Sequence, residues 1–190
     1  MSEQLRVLVV GGAGYIGSHV AKALRDADAT PVVFDNMSTG RPENILKGFE
    51  FIEGDILDMD ALRKALVDID AVIHLAALKA AGESMKVPGR YATNNIVGTI
   101  NLLNAMQELD VRSMVFSSSA AVYGEPKYTP MCEDHPTEPI NFYGYTKLEI
   151  ERLMSWFSQL CGLRYASLRY FNAAGYDIDG ELKGLEQNPA

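Results

Sequence analysis

An apolar run at residues 5–10 passes directly into Gly11-Gly12-Ala13-Gly14-Tyr15-Ile16-Gly17, and then into a stretch of helical periodicity that continues to about Ala27. The run is short, rich in valine and nearly continuous in apolar character, so it predicts a parallel strand buried on both faces. Glycines between such a strand and a helix let the main chain approach a ligand closely. They also leave N–H groups at the helix N-terminus free for an anion. A glycine pattern alone describes a merely tight turn equally well. The strand before it and the helix after it carry the reading of a pyrophosphate cradle, with Gly11, Gly14 and Gly17 spaced three apart.

Further apolar runs follow at residues 31–34, 50–53, 71–76, 114–117 and 165–170. Helical patterns lie between most of them: one capped by Asp58 and running to Leu66, one opened by Pro88 and running to Leu109, and one from Tyr143 to Leu160. Residues 125–140, rich in proline and acidic side chains, read as loop. Strands alternating with helices predict a doubly wound α/β fold, a mostly parallel sheet of the dinucleotide-binding Rossmann type.

Asp35 closes the second apolar run, 18 residues after Gly17. An acidic side chain there accepts hydrogen bonds from adenosine ribose hydroxyls and repels a 2′-phosphate, so NAD is expected over NADP. Arg41, six residues on, is the feature that would argue the other way. A net charge of −8 opposes a general nucleic-acid or anionic-membrane surface. The first apolar run is too short for a signal peptide or membrane span, which predicts a cytoplasmic protein. Cys132 and Cys161 lack metal-ligand spacing and are expected as free thiols; His19, His74 and His135 suggest no metal site.

Tyr143 and Lys147 stand four apart on one predicted helical face. An ammonium beside a phenol stabilises the phenolate, which predicts a lowered tyrosine pKa and a general base. Such a pair is also a common surface accident. Ser117-Ser118-Ser119 at the carboxyl end of the fifth strand changes its standing, because ligands of open α/β sheets bind beyond those ends. One serine there can hydrogen-bond both a sugar hydroxyl and the tyrosine, while another serves as a strand terminus.

Glycine turn, serine and Tyr-x-x-x-Lys in this order resemble the short-chain dehydrogenase/reductase superfamily. Within it the chain is similar to the UDP-glucose 4-epimerase family of extended members. The likeness is specific at residues 11–19, at His74-Leu75-Ala76-Ala77-Leu78-Lys79-Ala80-Ala81-Gly82-Glu83-Ser84, at residues 117–124, and at Leu168-Arg169-Tyr170-Phe171-Asn172-Ala173-Ala174-Gly175. The resemblance implies Ser119, Tyr143 and Lys147 as catalytic residues. It implies NAD contacts from Gly11, Gly14, Tyr15, Ile16, Gly17, Asp35, Asn36, Asp55, Ile56, Leu75, Ala76, Ala77, Lys79, Asn95, Ser117, Tyr143, Lys147 and Phe171. Lys79, Ser119, Tyr143 and Asn172 would meet the substrate. Ala121 stands where many members carry threonine.

The implied reaction interconverts UDP-galactose and UDP-glucose by oxidation and re-reduction at C4, in a homodimer formed through residues 88–109 and the last helix. Trp156 and Phe157 are expected in the core or in that interface. A 4,6-dehydratase would carry an acid pair where Ser117-Ser118-Ser119 stands, and decarboxylases or uronate epimerases rank second. Family members extend well past Ala190 with a region that grips UDP. Residues 1–175 therefore read as the dinucleotide-binding domain and 176–190 as the start of a C-terminal substrate region mostly lacking here. A chain of this extent is expected to hold NAD and epimerise poorly, or to act as a non-catalytic NAD-binding module.

Overall fold

The computed structural model describes residues 4–184. In chain order they form β1 (Arg6–Val10), α1 (Tyr15–Asp26), β2 (Thr30–Asp35), β3 (Glu50–Glu53), α2 (Met59–Ala65), β4 (Ala71–His74), α3 (Ala81–Ser84), α4 (Pro88–Tyr91), α5 (Gly98–Glu108), β5 (Ser113–Ser119), α6 (Phe142–Cys161) and β6 (Arg164–Tyr170). The six strands make one sheet in the order β3-β2-β1-β4-β5-β6, every neighbour parallel. The order reverses between β1 and β4, so the crossovers leave in opposite directions there and open a crevice beyond the carboxyl ends of those strands.

Alternation along the strands divides the core. Leu8, Val10, Val32, Phe34, Val72, Met114 and Phe116 pack with Leu62, Leu102, Met106, Ile150 and Met154 of α2, α5 and α6. Val9 and Val33 face the other way onto Ala21 of α1, closed by Val20, Leu24, Ile45 and Phe49. Both faces of the central strands are therefore covered, which is why their sequences are nearly continuous in apolar residues. The cap expected at Asp58 is present: its side chain accepts from the Asp60 and Ala61 amides. The helix expected from Pro88 to Leu109 is present as one continuous helical run to Glu108, with residues 92–97 forming a π-helical turn between α4 and α5. Gly98, just after it, lies against Ile56, where a Cβ would come within 2.5 Å of the Ile56 side chain. The fourth strand is two residues shorter than expected, since the Leu75 and Ala76 amides both turn onto the Val10 carbonyl. The expected division at residue 175 is not marked by a break. Residues 175–184 fold back on α1, and 185–190 lie outside the described residues.

His74 is buried at the end of β4, with Nε2 at 3.0 Å from the Thr99 hydroxyl. That hydroxyl donates to the Asn95 carbonyl, so Nε2 carries the imidazole proton and donates to Thr99. Burial, with Lys147 nearby, pushes the imidazole down to about 3. The folded state thus refuses a proton that the unfolded chain accepts below pH 6.5, and stability falls as pH falls from that value. The expected loss between pH 6.5 and 5 from this group is about 2 kcal/mol. Urea midpoints measured across that range should slope less steeply in His74→Gln; equal slopes would contradict the assignment.

Candidate functional site

The glycine turn is held from below. Asp35 at the end of β2 is nearly buried, and its carboxylate accepts the Ala13 amide at 3.0 Å and the Met37 amide at 2.9 Å. Burial pushes this carboxyl up, opposed by those two main-chain donors. The residue expected on a ribose is thus also the brace of the cradle. Gly17 packs where no side chain fits, since a Cβ would lie 2.2 Å from the Gly11 carbonyl oxygen. Gly14 is different: a Cβ there would meet only that oxygen, at 3.3 Å. Gly14 is also the N-cap of α1 and offers no side-chain cap, so the first N–H groups of the helix have no side-chain acceptor there. An open glycine over uncapped helix donors is the fit a pyrophosphate requires.

At the far end of the crevice, Asn36 donates to Asp55 at 2.8 Å, and Asp55 accepts the Leu57 amide. The Arg41 amide binds the Ala13 carbonyl at 3.0 Å, which brings its loop back to the turn. On the other side, residues 75–79 lie over β4. Asn95 holds them: its Oδ1 accepts the Leu78 amide, and its Nδ2 donates to the Leu78 carbonyl and to Thr146. Asn94 donates to the same Oδ1, so the buried Asn95 amide, expected on the cofactor, is fully committed to positioning this loop and α6. Ala77 is half-buried and Lys79 exposed.

The catalytic candidates converge beyond β5. Asn141 caps α6 by accepting the Gly144 amide, and Gly144 sits so close to the turn at residues 120–122 that a Cβ would lie 2.5 Å from the Ala121 carbonyl oxygen. This contact brings Tyr143 to Ser119, whose hydroxyl favours the ionised form of the phenol. Ser119 Oγ also accepts the Ala121 amide at 3.1 Å. Lys147 is buried, donates to the Ser117 carbonyl at 2.7 Å, and lies 4.7 Å from the centre of the Phe116 ring.

The structure reverses the charge logic expected of the pair. Burial pushes the Tyr143 phenol up, and burial drives the Lys147 ammonium down to about 7. Lys147 Nζ is 5.9 Å from the Tyr143 ring centre and turned toward Ser117, so Ser119 rather than Lys147 supplies the lowering influence on the phenol.

Ser118, the buried middle serine, donates to Glu151 at 2.5 Å, and Arg169 of β6 clasps the same carboxylate through Nε and Nη2. Arg169 also reaches Tyr123 and the Glu133 carbonyl. Tyr143, Lys147 and Glu151 therefore form one face of α6 at steps of four, a periodicity visible in the sequence whose third member its reading missed. Phe171 and Asn172 follow Tyr170, which pairs with Ser119, so they stand at the same end of the sheet with exposed side chains. Phe157 packs on the core, whereas Trp156, expected there or in an interface, is exposed. Among the described residues no group of histidine, cysteine and acidic side chains could hold a metal ion, and no helix is long and apolar enough to cross a membrane.

Residues 7–186 match the sequence profile of the NAD dependent epimerase/dehydratase family. Over 180 residues the chain is 46% identical to a UDP-glucose 4-epimerase of Lactobacillus helveticus, covering 94% of this chain and 54% of that protein. The crystal structure of a UDP-glucose 4-epimerase from Brucella ovis in complex with NAD superposes with a TM-score of 0.91 at 47% identity, over 94% of this chain and 55% of that one. The enzyme of the same name from Bifidobacterium longum, in complex with NAD+ and UDP, gives a TM-score of 0.90 at 34% identity over 96% and 58%. The chain spans about half the length of the curated relatives it matches.

Proposed function

Because the chain belongs to the NAD dependent epimerase/dehydratase family, we propose that it binds NAD across the carboxyl ends of β1, β2 and β4 and serves the interconversion of UDP-galactose and UDP-glucose. The observation that carries this reading is the meeting of Ser119, Tyr143 and Lys147 beside an open, uncapped glycine turn. When bound, the oxidised nicotinamide supplies reversible two-electron oxidation of the sugar C4. Tyr143 takes the proton of the 4-hydroxyl and later returns it. Ser119, beside the phenol, holds the same hydroxyl in line. Lys147 fixes the Ser117 carbonyl and carries positive charge as pH falls below about 7. Lys79 and Asn172 are assigned to the nucleotide sugar, and Phe171 to the cofactor.

Residues 1–175 act in this reading as the dinucleotide domain, and 176–190 open a substrate region. Remote contacts to the nucleotide normally position the reacting carbon. A polypeptide of these 190 residues, about half the length of its curated relatives, is therefore expected to retain NAD and turn over slowly, and a purely NAD-binding role is the second reading. Two measurements test this: dinucleotide released on denaturing the purified protein, and UDP-galactose conversion by a coupled assay. Absence of dinucleotide would refute the binding half; turnover equal to that of the longer relatives would refute the slow half.

The same reading makes the protein a cytoplasmic homodimer. Exposed Trp156 and Leu160 on α6, with Val97 on the neighbouring π-helical turn, support the interface. Trp156→Glu with Leu160→Glu should halve the mass seen by light scattering; an unchanged mass would argue against that surface.

A further inference from the structure

The segment after β6 runs back to the first helix. Tyr170 ends β6 beside Ser119, and four residues after Phe171 the Gly175 carbonyl accepts the Tyr15 hydroxyl at 2.6 Å. In the strand order, β6 is separated from β1 by β5 and β4, a distance of about 14 Å at ordinary strand spacing. Five residues reach about 17 Å when nearly extended. Residues 171–175 are thus long enough to cross the carboxyl ends of β5 and β4, the mouth of the crevice that Ser119 and residues 75–79 line.

Beyond Gly175 the chain is fastened. Asp177 accepts the Glu181 and Leu182 amides and closes a turn, and Leu182 is buried. The turn offers Asp179 to Lys22 at 2.7 Å and Glu181 to Arg25 through two bonds of 2.8 Å, with Asp177 3.5 Å from Lys22. Lys22 and Arg25 lie three apart on one face of α1, so two cations of the helix meet three carboxylates of one turn. A lone exposed pair adds little, but a bidentate arginine within a network of this kind holds geometry.

We propose that Lys22 and Arg25 are positioning residues for the dinucleotide, latching residues 177–182 onto α1 and thereby holding residues 171–175 as a strap across the cofactor crevice. The inference rests on the NAD reading above. The latch sets how long the cofactor stays, and because Arg25, Asp179 and Glu181 are part-exposed it loosens with salt.

The test uses the whole chain loaded with NADH, whose bound fluorescence is lost on mixing with excess NAD. Lys22→Met with Arg25→Met is expected to speed release about tenfold, a change of ~1.4 kcal/mol in the barrier. Asp179→Asn with Glu181→Gln, which leaves α1 untouched, is expected to do the same. Raising salt from about 0.05 M to about 0.5 M should speed release from the parent and not from either double variant. Release unchanged in both double variants, or equally salt-dependent in them and the parent, overturns the latch alone. A parent chain that holds no dinucleotide overturns the NAD reading and this inference with it.

Discussion

Tyr143→Phe is expected to lower the conversion of UDP-galactose by about 10³-fold while leaving the dinucleotide bound. The ring still fills its half-buried place at the start of α6, so Gly144 keeps its contact with Ala121 and the fold is undisturbed. What disappears is the one oxygen that Ser119 addresses and that could take the sugar proton. Burial already holds that phenol above its ordinary value, so its ionisation depends on what the occupied site supplies. Product measured by chromatography over hours resolves even a slow parent rate. A variant that kept a tenth or more of that rate would remove Tyr143 from the role of base, and one that lost its dinucleotide would make the effect structural.

Gly17→Ala is expected to weaken NAD retention by about 100-fold, the scale set by misplacing a binding element by about 1 Å. A methyl at this position would lie 2.2 Å from the Gly11 carbonyl oxygen and 2.7 Å from the Gly12 Cα, both main-chain atoms, so relief requires α1 to move off the turn. The turn cannot follow freely, because Asp35 holds Ala13 and the Phe34 carbonyl holds Gly11. Gly14→Ala separates fold from binding. Its methyl meets a single oxygen at 3.3 Å, so the protein keeps its stability, while the open space over the helix donors is filled. Calorimetric titration with NAD beside thermal melts distinguishes the two: Gly17→Ala loses binding and stability together, Gly14→Ala binding alone. Unimpaired NAD binding by both would refute the cradle.

Much of the candidate site's arrangement was legible because its signals are local. The strand 6–10, the glycine spacing, the Asp58 cap and the four-residue step from Tyr143 to Lys147 depend on neighbours in the chain, and period and capping chemistry suffice to read them. Glu151 shared that step and could have been found; its meaning could not, since Ser118 and Arg169 come to it from two other elements. The direction of the Tyr143 shift was misjudged for a related reason. Sequence places a lysine one turn away, but only packing turns its ammonium toward the Ser117 carbonyl and strips it of water.

What the sequence by itself determined is the six strands and the main helices, their parallel winding, and the candidate residues at the ends of the strands, all of which follow from hydrophobic period and backbone sterics. Tertiary structure alone decided which polar groups are spent on architecture. Asp35 braces Ala13, Asn95 clamps Leu78, and Lys22 with Arg25 fastens a turn more than 150 positions away in the chain. Those pairings join segments with no local pattern in common. They arise only when the sheet order brings the segments side by side, where a buried or half-buried polar group must find a partner.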